Sequence, residues 1–393
     1  MIRVTALIAA LMLLPLAAAA KDAITLKTAI LKIDSGPVLP LSRLDLPAAN
    51  DGFAGAAVGL ADNNTTGRFL GQTFEATEVM AKPEDAIKAA EVAVADGAAV
   101  IVALAPEATL LALADHFADQ NIIILNAAAR DDALRHASCR ANVLHVAPSR
   151  AMLADGLAQY MVWKKWSEWM LIHGSHPADQ LKADAYRRAA KKFGLKIVEE
   201  RIFEDTGGAR RTDSGHVLVQ RQIPKFTNRA DDHDVVVAAD ETGVFGDYLA
   251  YRTTDPRPVV GDAGLVARTW HPSFESWGAT QIQRRFEKTN QRRMTDIDYQ
   301  AWLAMRVIGE AVSRTKSADP TILKDFILSK DFEVAGFKGQ ALSFRPWNNQ
   351  LRQGVLLADG KLVVTVSPQE EFLHQKTRLD TLGFDEPETE CAF

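Results

Sequence analysis

Polar residues at the ends of short apolar runs are where a protein of this kind could hold a ligand. Here those positions offer the carboxylates of Glu107, Asp240, Glu241 and Asp262, the imidazoles of His173 and His176, and the guanidinium of Arg130. Trp270 and Trp277 are candidate apolar walls. Several carboxylates around one cleft suit a hard cation that takes about six or more oxygen ligands, and Asp240, Glu241 and Asp262 are the acids such an ion would use. The plainer reading of an aspartate at a strand end is an N-cap for the next helix, and it applies to Asp240 and Asp262. His173 and His176 sit on a loop before Pro177, not on one helix face, and no third soft ligand is near in sequence, so they make a weak metal pair. The Gly-x-Ser-x-Gly, P-loop, His-Glu-x-x-His and Gly-x-Gly-x-x-Gly patterns are absent. The expectation is a binding protein without a cofactor, not an enzyme.

The ends and composition bound the setting. Arg3, the apolar stretch Val4–Leu16 and the small residues Ala17–Ala20 form the three-part pattern of a secretory signal peptide, with cleavage expected after Ala20. The apolar stretch is shorter than the ~20 residues a membrane span needs. Localisation in the periplasm is therefore expected. Hydrophobic residues make up 47% and charged residues 24%, as in ordinary globular proteins. The net charge of −5 comes with no clustered basic face, which argues against nucleic acid. Two cysteines, Cys139 and Cys391, are an even pair that an oxidising compartment would bridge; the alternative is two free thiols. A monomer is expected.

Along the chain, buried strands alternate with amphipathic helices. Strands are predicted at 28–33, 73–79, 99–104 and 122–125, with helices at 53–62, 83–96 and 107–120. The pattern repeats after residue 147, with helices at 150–164 and 177–193 and strands at 169–172, 196–203, 234–238 and 258–260. Such alternation means parallel sheets covered on both faces. Helices at 274–289, 296–314 and 320–328 do not fit the second unit, so the chain is expected to cross back to the first. Residues 341–344, 354–357 and 362–366 read as antiparallel strands. The predicted fold class is α/β, two Rossmann-like lobes with parallel sheets joined by a multi-strand hinge. The first lobe would comprise 21–147 and about 275–335, and the second 148–274 and about 336–366. A tail of weak pattern follows at 367–393.

Three stretches in this order, PEDAIKAAEVAVADGAAVIVAL (Pro83–Leu104), IIILNAAA (Ile122–Ala129) and LHVAPSRAMLADGLAQYM (Leu144–Met161), resemble type I periplasmic binding proteins of the branched-chain amino-acid class. Trp169–Glu200 and Asp298–Val312 extend the resemblance over almost the whole exported chain. It implies the solute-binding component of an ABC importer, with a small-molecule or ion ligand and a membrane permease as partners. The alternatives are a periplasmic sensor or assembly partner, or, further off, a hydrolase. The family holds a ligand carboxylate on two first-lobe loops, which here offer Thr109 and Asn126, backbone N–H groups near Glu107, and Arg130. It holds an ammonium with an acid of the second lobe, for which Asp262 is the match, beside Asp240 and Glu241. His173-Gly174-Ser175-His176 stands where the family carries a tyrosine. SCRANVLHVAPSRAMLADGLAQYM (Ser138–Met161) with FRPWNNQLRQGVLLADG (Phe344–Gly360) resembles the binding proteins associated with PQQ-dependent alcohol dehydrogenase systems, some of them linked to lanthanide supply.

Overall fold

The computed structural model describes residues 23–36, 42, 46–207 and 218–393. The proposed signal peptide and the segment 208–217 lie outside them.

The first sheet is built from β1 (Ile24–Ile33), β2 (Gln72–Ala81), β3 (Val100–Leu104), β4 (Ile123–Asn126) and β5 (Val143–His145), in the order β2-β1-β3-β4-β5 and parallel throughout. β3 reads VIVAL and every residue of it is buried, as a strand covered on both faces requires. Three helices connect these strands: α1 (Phe53–Leu70), α2 (Ala86–Ala95) and α3 (Glu107–His116). α1 runs eight residues beyond its expected end. The polar residues that follow Asp62 are tied down within the helix, with Asn63 Nδ2 donating to Met305 O at 2.8 Å and Asn64 Nδ2 to Phe74 O at 2.9 Å.

After α4 (Arg150–Lys164) the second sheet takes β6 (Glu168–Gly174), α5 (Pro177–Phe193), β7 (Lys196–Phe203), α6 (Val219–Phe226), β8 (Val235–Ala239), α7 (Gly246–Arg252), β9 (Val259–Gly261) and β10 (Leu265–Arg268). The sequence reading missed β10, which follows β9 after three residues. Gly261 and Gly264, at φ 110° and 67°, make that tight return, and a Cβ on either would strike backbone.

The chain then leaves for the first lobe. α8 (Ala279–Asn290), α9 (Asp296–Thr315) and α10 (Pro320–Ile327) pack into the core that also holds Leu26, Val102 and Leu125. α8 starts later than predicted because Trp277 takes a left-handed conformation, φ 51°, and breaks the helix before Ala279. β11 (Val334–Ala335) and β12 (Ala341–Leu342) form a two-stranded ribbon of their own, so 341–342 does not join β13 (Val355–Ala358) and β14 (Val363–Ser367) as the sequence suggested. β13 and β14 complete the second sheet antiparallel, in the order β14-β13-β10-β9-β8-β6-β7.

α9 begins with a capping box, Thr295 and Asp298 each bonding the other's backbone. It lies directly on α1: Gly59 is so close that a Cβ would stand 2.7 Å from Met305 Cβ, and a Cβ on Gly55 would collide with the Asp298 carbonyl. A backbone carbonyl cannot rotate away as a side chain can. Gly55→Ala is therefore expected to lower stability by about 1–3 kcal/mol, seen as a lower urea midpoint; an unchanged midpoint would show that the two helices can part freely.

Three crossings join the lobes: β5 to α4, β10 to Trp270, and Leu351 to Val355. The first and third are stitched together. His145 N–H donates to Asn349 O at 2.8 Å, Leu351 N–H to His145 O at 2.8 Å, and Gln353 Nε2 to Val146 O at 2.7 Å. Arg135, fully buried, donates to Gln350 Oε1 at 2.8 Å and to Ala147 O at 2.7 Å from beneath. The tail is held on both lobes. Gly383 N–H donates to buried Asp155 at 2.8 Å, and Arg188 and Lys192 close on the same carboxylate. Beyond, Thr389 Oγ1 donates to Arg135 O at 3.1 Å and Cys391 is disulfide-bonded to Cys139, Cα–Cα 5.6 Å.

Candidate functional site

The carboxyl ends of β3, β4 and β8 face one cavity of about 590 Å³ between the lobes, lined by Leu104–Ala108, Ala128–Asp131, Ser35, Arg150 and Glu241. Ligands in open α/β sheets bind beyond such strand ends. α3 begins here. Pro106 is its N-cap and supplies no side-chain cap, so the first-turn N–H groups of α3 and the positive end of its dipole are presented to the cavity. Glu107, the first residue of α3, has its carboxyl pushed above the ordinary range by burial, with Asp131 adding to the rise. Arg130 lines the same cavity and forms no ion pair among the described residues.

The structure separates the remaining sequence candidates. Asn126 shapes the loop from within. Its Oδ1 accepts from Ala128 and Ala129 N–H at 3.1 and 2.8 Å, and its Nδ2 donates to Ala129 O at 2.8 Å and approaches His145 Nδ1 at 3.0 Å. Burial holds His145 well below the ordinary histidine range, which leaves it neutral. Thr109 is buried within the first turn of α3 and does not line the cavity. Asp240 is a cap, accepting N–H bonds from Val244 and Phe245 at 2.8 Å each. Burial raises its carboxyl to about 6, against those bonds. Asp262 accepts from Asp240 N–H at 3.0 Å and pairs with buried Lys182 at 3.1 Å. His173 is buried, 3.2 Å from Glu200, and His176 pairs with Asp205 at 2.9 Å. Trp270 is buried, stacked on Tyr299 at 4.8 Å, while Trp277 is exposed beside another cavity.

The three acids suggested for a hard cation therefore point at different partners: backbone N–H groups, Arg150 and Lys182. Among the described residues no group of three or more His, Cys, Asp or Glu side chains is arranged to hold a metal ion.

Sequence reasoning missed the residue that organises the cavity wall. Arg150 opens α4; its N–H donates to Arg130 O at 2.8 Å, and its guanidinium grips Glu241 through two bonds of 2.7 Å and Asp131 through one of 2.6 Å. Burial works against its charge, but the bonds and charges of Glu241 and Asp131 win and push its pKa up. Burial would likewise raise Glu241, yet Arg150 holds it below the ordinary carboxylate range. The Glu241 loop is fixed again by Asp179 of α5, which accepts from Thr242 N–H and Oγ1 at 2.9 Å each. Glu107 and Arg130, of opposite sign, are left as the charges facing the cavity without an ion-pair partner among the described residues.

The family model described as periplasmic binding protein matches residues 36–211, a little under half of the chain. No curated protein matches the sequence. Solved structures match over nearly the whole length. A branched-chain amino acid ABC transporter periplasmic ligand-binding protein from Burkholderia xenovorans LB400 has a TM-score of 0.73 at 16% identity, covering 93% of this chain and 99% of that one. A leucine-, isoleucine-, valine-, threonine- and alanine-binding protein from Brucella ovis, in a closed conformation, has a TM-score of 0.72 at 17% identity, covering 94% and 98%. An ABC transporter solute-binding protein from R. palustris in complex with benzoate has a TM-score of 0.65 at 12% identity, covering 94% and 100%. At these identities the likeness is one of fold, and with the sheets, crossings and interlobe cavity described above it establishes that the chain has the two-lobed α/β fold of type I periplasmic binding proteins.

Proposed function

We propose that the protein is a periplasmic solute-binding component of an ABC importer, which captures a small organic solute bearing a carboxylate in the interlobe cavity and delivers it to a permease. The observation that carries this is the cavity itself. Its walls come from both lobes, and it offers an uncapped helix start with a guanidinium and a carboxylate, Arg130 and Glu107, that have no ion-pair partner among the described residues. A zwitterion would place its carboxylate at Arg130 and the α3 N–H groups and its ammonium at Glu107. The relatives of like fold include one that binds branched-chain amino acids and one bound to benzoate, which supports a carboxylate ligand. Binding would proceed by closure about the crossings, with no turnover. The resemblance of Ser138–Met161 and Phe344–Gly360 supports a further link to PQQ-dependent alcohol oxidation.

A thermal-shift panel of amino acids, benzoate and other organic acids, short alcohols, PQQ, calcium and lanthanides tests this, with small-angle scattering to detect closure. A ligand at a hundredfold its dissociation constant adds about 2.7 kcal/mol. Arg130→Ala removes a charged hydrogen bond of about 1.5–3 kcal/mol, so the responding acid is expected to bind about 10- to 100-fold more weakly. Equal affinity in the variant would remove Arg130 from the site, and a panel with neither shift nor compaction would reject the capture reading.

A further inference from the structure

The cleft does not end at Arg130. On the far side of that guanidinium lies a second cavity of about 530 Å³, walled by Asp51 and residues 293–297 of the first lobe, by Arg268, Trp270 and His271 at the second crossing, and by the Asp359-Gly360 turn of the second lobe. Arg130 lines both cavities, so they are two compartments of one cleft. The second gathers three guanidinium groups, Arg130, Arg268 and Arg293.

Its carboxylates are committed to local donors. Asp296 Oδ1 accepts from Thr269 N–H, Thr269 Oγ1 and Trp270 N–H at 2.7, 2.6 and 2.8 Å, and its Oδ2 meets Arg268 Nη1 at 3.3 Å. Asp51 Oδ1 accepts from Thr295 Oγ1 at 2.6 Å. Asp359 Oδ1 accepts from Lys361 and Leu362 N–H at 2.7 and 2.8 Å. The arginines are less fully used. Among the described residues Arg130 and Arg293 form no ion pair, and the buried Arg268 Nε has no hydrogen-bond partner. A buried donor left unmet is costly, and a guanidinium presents a fork of donors that fits a planar or tetrahedral anion through two bonds.

We propose that this compartment receives a second anionic group, a carboxylate or a phosphate, at the far end of the solute whose first carboxylate lies between Arg130 and the start of α3. The ligand class is then a small solute with two anionic groups. This rests on the capture reading above and adds the class of solute to it.

Two measurements on the full chain test it. Crystals soaked in selenate, whose anomalous scattering locates the ion, and calorimetric titration with inorganic phosphate and with glutarate report on the compartment directly. The expected result is selenate at Arg268 and Arg293, with phosphate or glutarate binding weakened tenfold or more in both Arg268→Ala and Arg293→Ala at unchanged unfolding midpoint. Which of the two probes responds decides between phosphate and carboxylate. An empty compartment, or affinities unmoved by either substitution, overturns the inference. The second measurement compares leucine, glutamate and phosphoserine for lobe closure. If leucine closes the lobes as tightly as the two-anion solutes, the inference fails and the capture reading stands. If the compartment takes the anions but no solute closes the lobes, the capture reading is what fails.

Discussion

Replacing Asp380 with alanine is expected to destabilise the protein by about 3–5 kcal/mol, one of the largest effects of any single change outside the cleft. Asp380 is 3% exposed, and its Oδ1 accepts from Arg345 Nε at 2.8 Å and Arg352 Nε at 2.7 Å. Arg345 is itself 1% exposed. Its remaining donors go to carbonyls of the tail, at Leu379 (3.0 Å) and Leu382 (2.7 Å). Burial holds the Arg345 guanidinium below its ordinary range even with Asp380 present. Without that carboxylate, two buried guanidinium groups share one site with no anion between them, the Trp347 ring 5.8 and 5.1 Å from their centres. Urea denaturation of Asp380→Ala measures the cost. The triple variant Asp380→Leu, Arg345→Met, Arg352→Met should recover most of it, because an apolar replacement of the whole cluster leaves no charge uncompensated. A single-variant loss below about 1 kcal/mol, the scale of an exposed pair, would contradict this account.

The second large effect is a pH dependence set by Lys338. This lysine is buried at the third crossing, its ammonium donating to Gln353 Oε1 at 2.8 Å and Gly354 O at 2.9 Å and resting 4.7 Å from the centre of the Tyr299 ring. No carboxylate pairs with it among the described residues; Asp296 acts only at a distance. Burial therefore lowers it from 10.5 to about 7. The unfolded chain holds this proton up to about 10.5 and the folded chain releases it near 7, so between these values the unfolded state binds more protons and stability rises with pH. At about 1.4 kcal/mol per unit, wild type should gain about 3 kcal/mol between pH 7 and 9.5 relative to Lys338→Met, in which that titration is absent. Taking the difference cancels every other group. Parallel curves for the two proteins would show that the lysine keeps its charge in the fold.

Much of the architecture was legible because parallel strands buried on both faces leave plain apolar runs, as in β3 and β8, and because α5 is bounded by Pro177 at its start and Gly194, φ 70°, at its end. The site was less legible for a physical reason. An acid after a strand looks the same in sequence whether it caps a helix, as Asp240 does, or faces a cavity, as Glu241 does one residue later. What sorts them is the cation each meets, and Arg150 lies 91 residues from Glu241. The segments Ser138–Met161 and Phe344–Gly360, which carry the finer resemblance, are those that meet at the first and third crossings. Their similarity thus reports how the lobes are joined more directly than what lies between them.

The tail adds a mechanical consequence. It is anchored to the second lobe at Gly383 and knotted to the first at Cys391, and the few peptide links between can reach at most about 3.6 Å each. If the lobes part and close as proposed, such a leash would act as a stop at the far end of travel, and the mouth of the protein would gape only as far as this tail stretches.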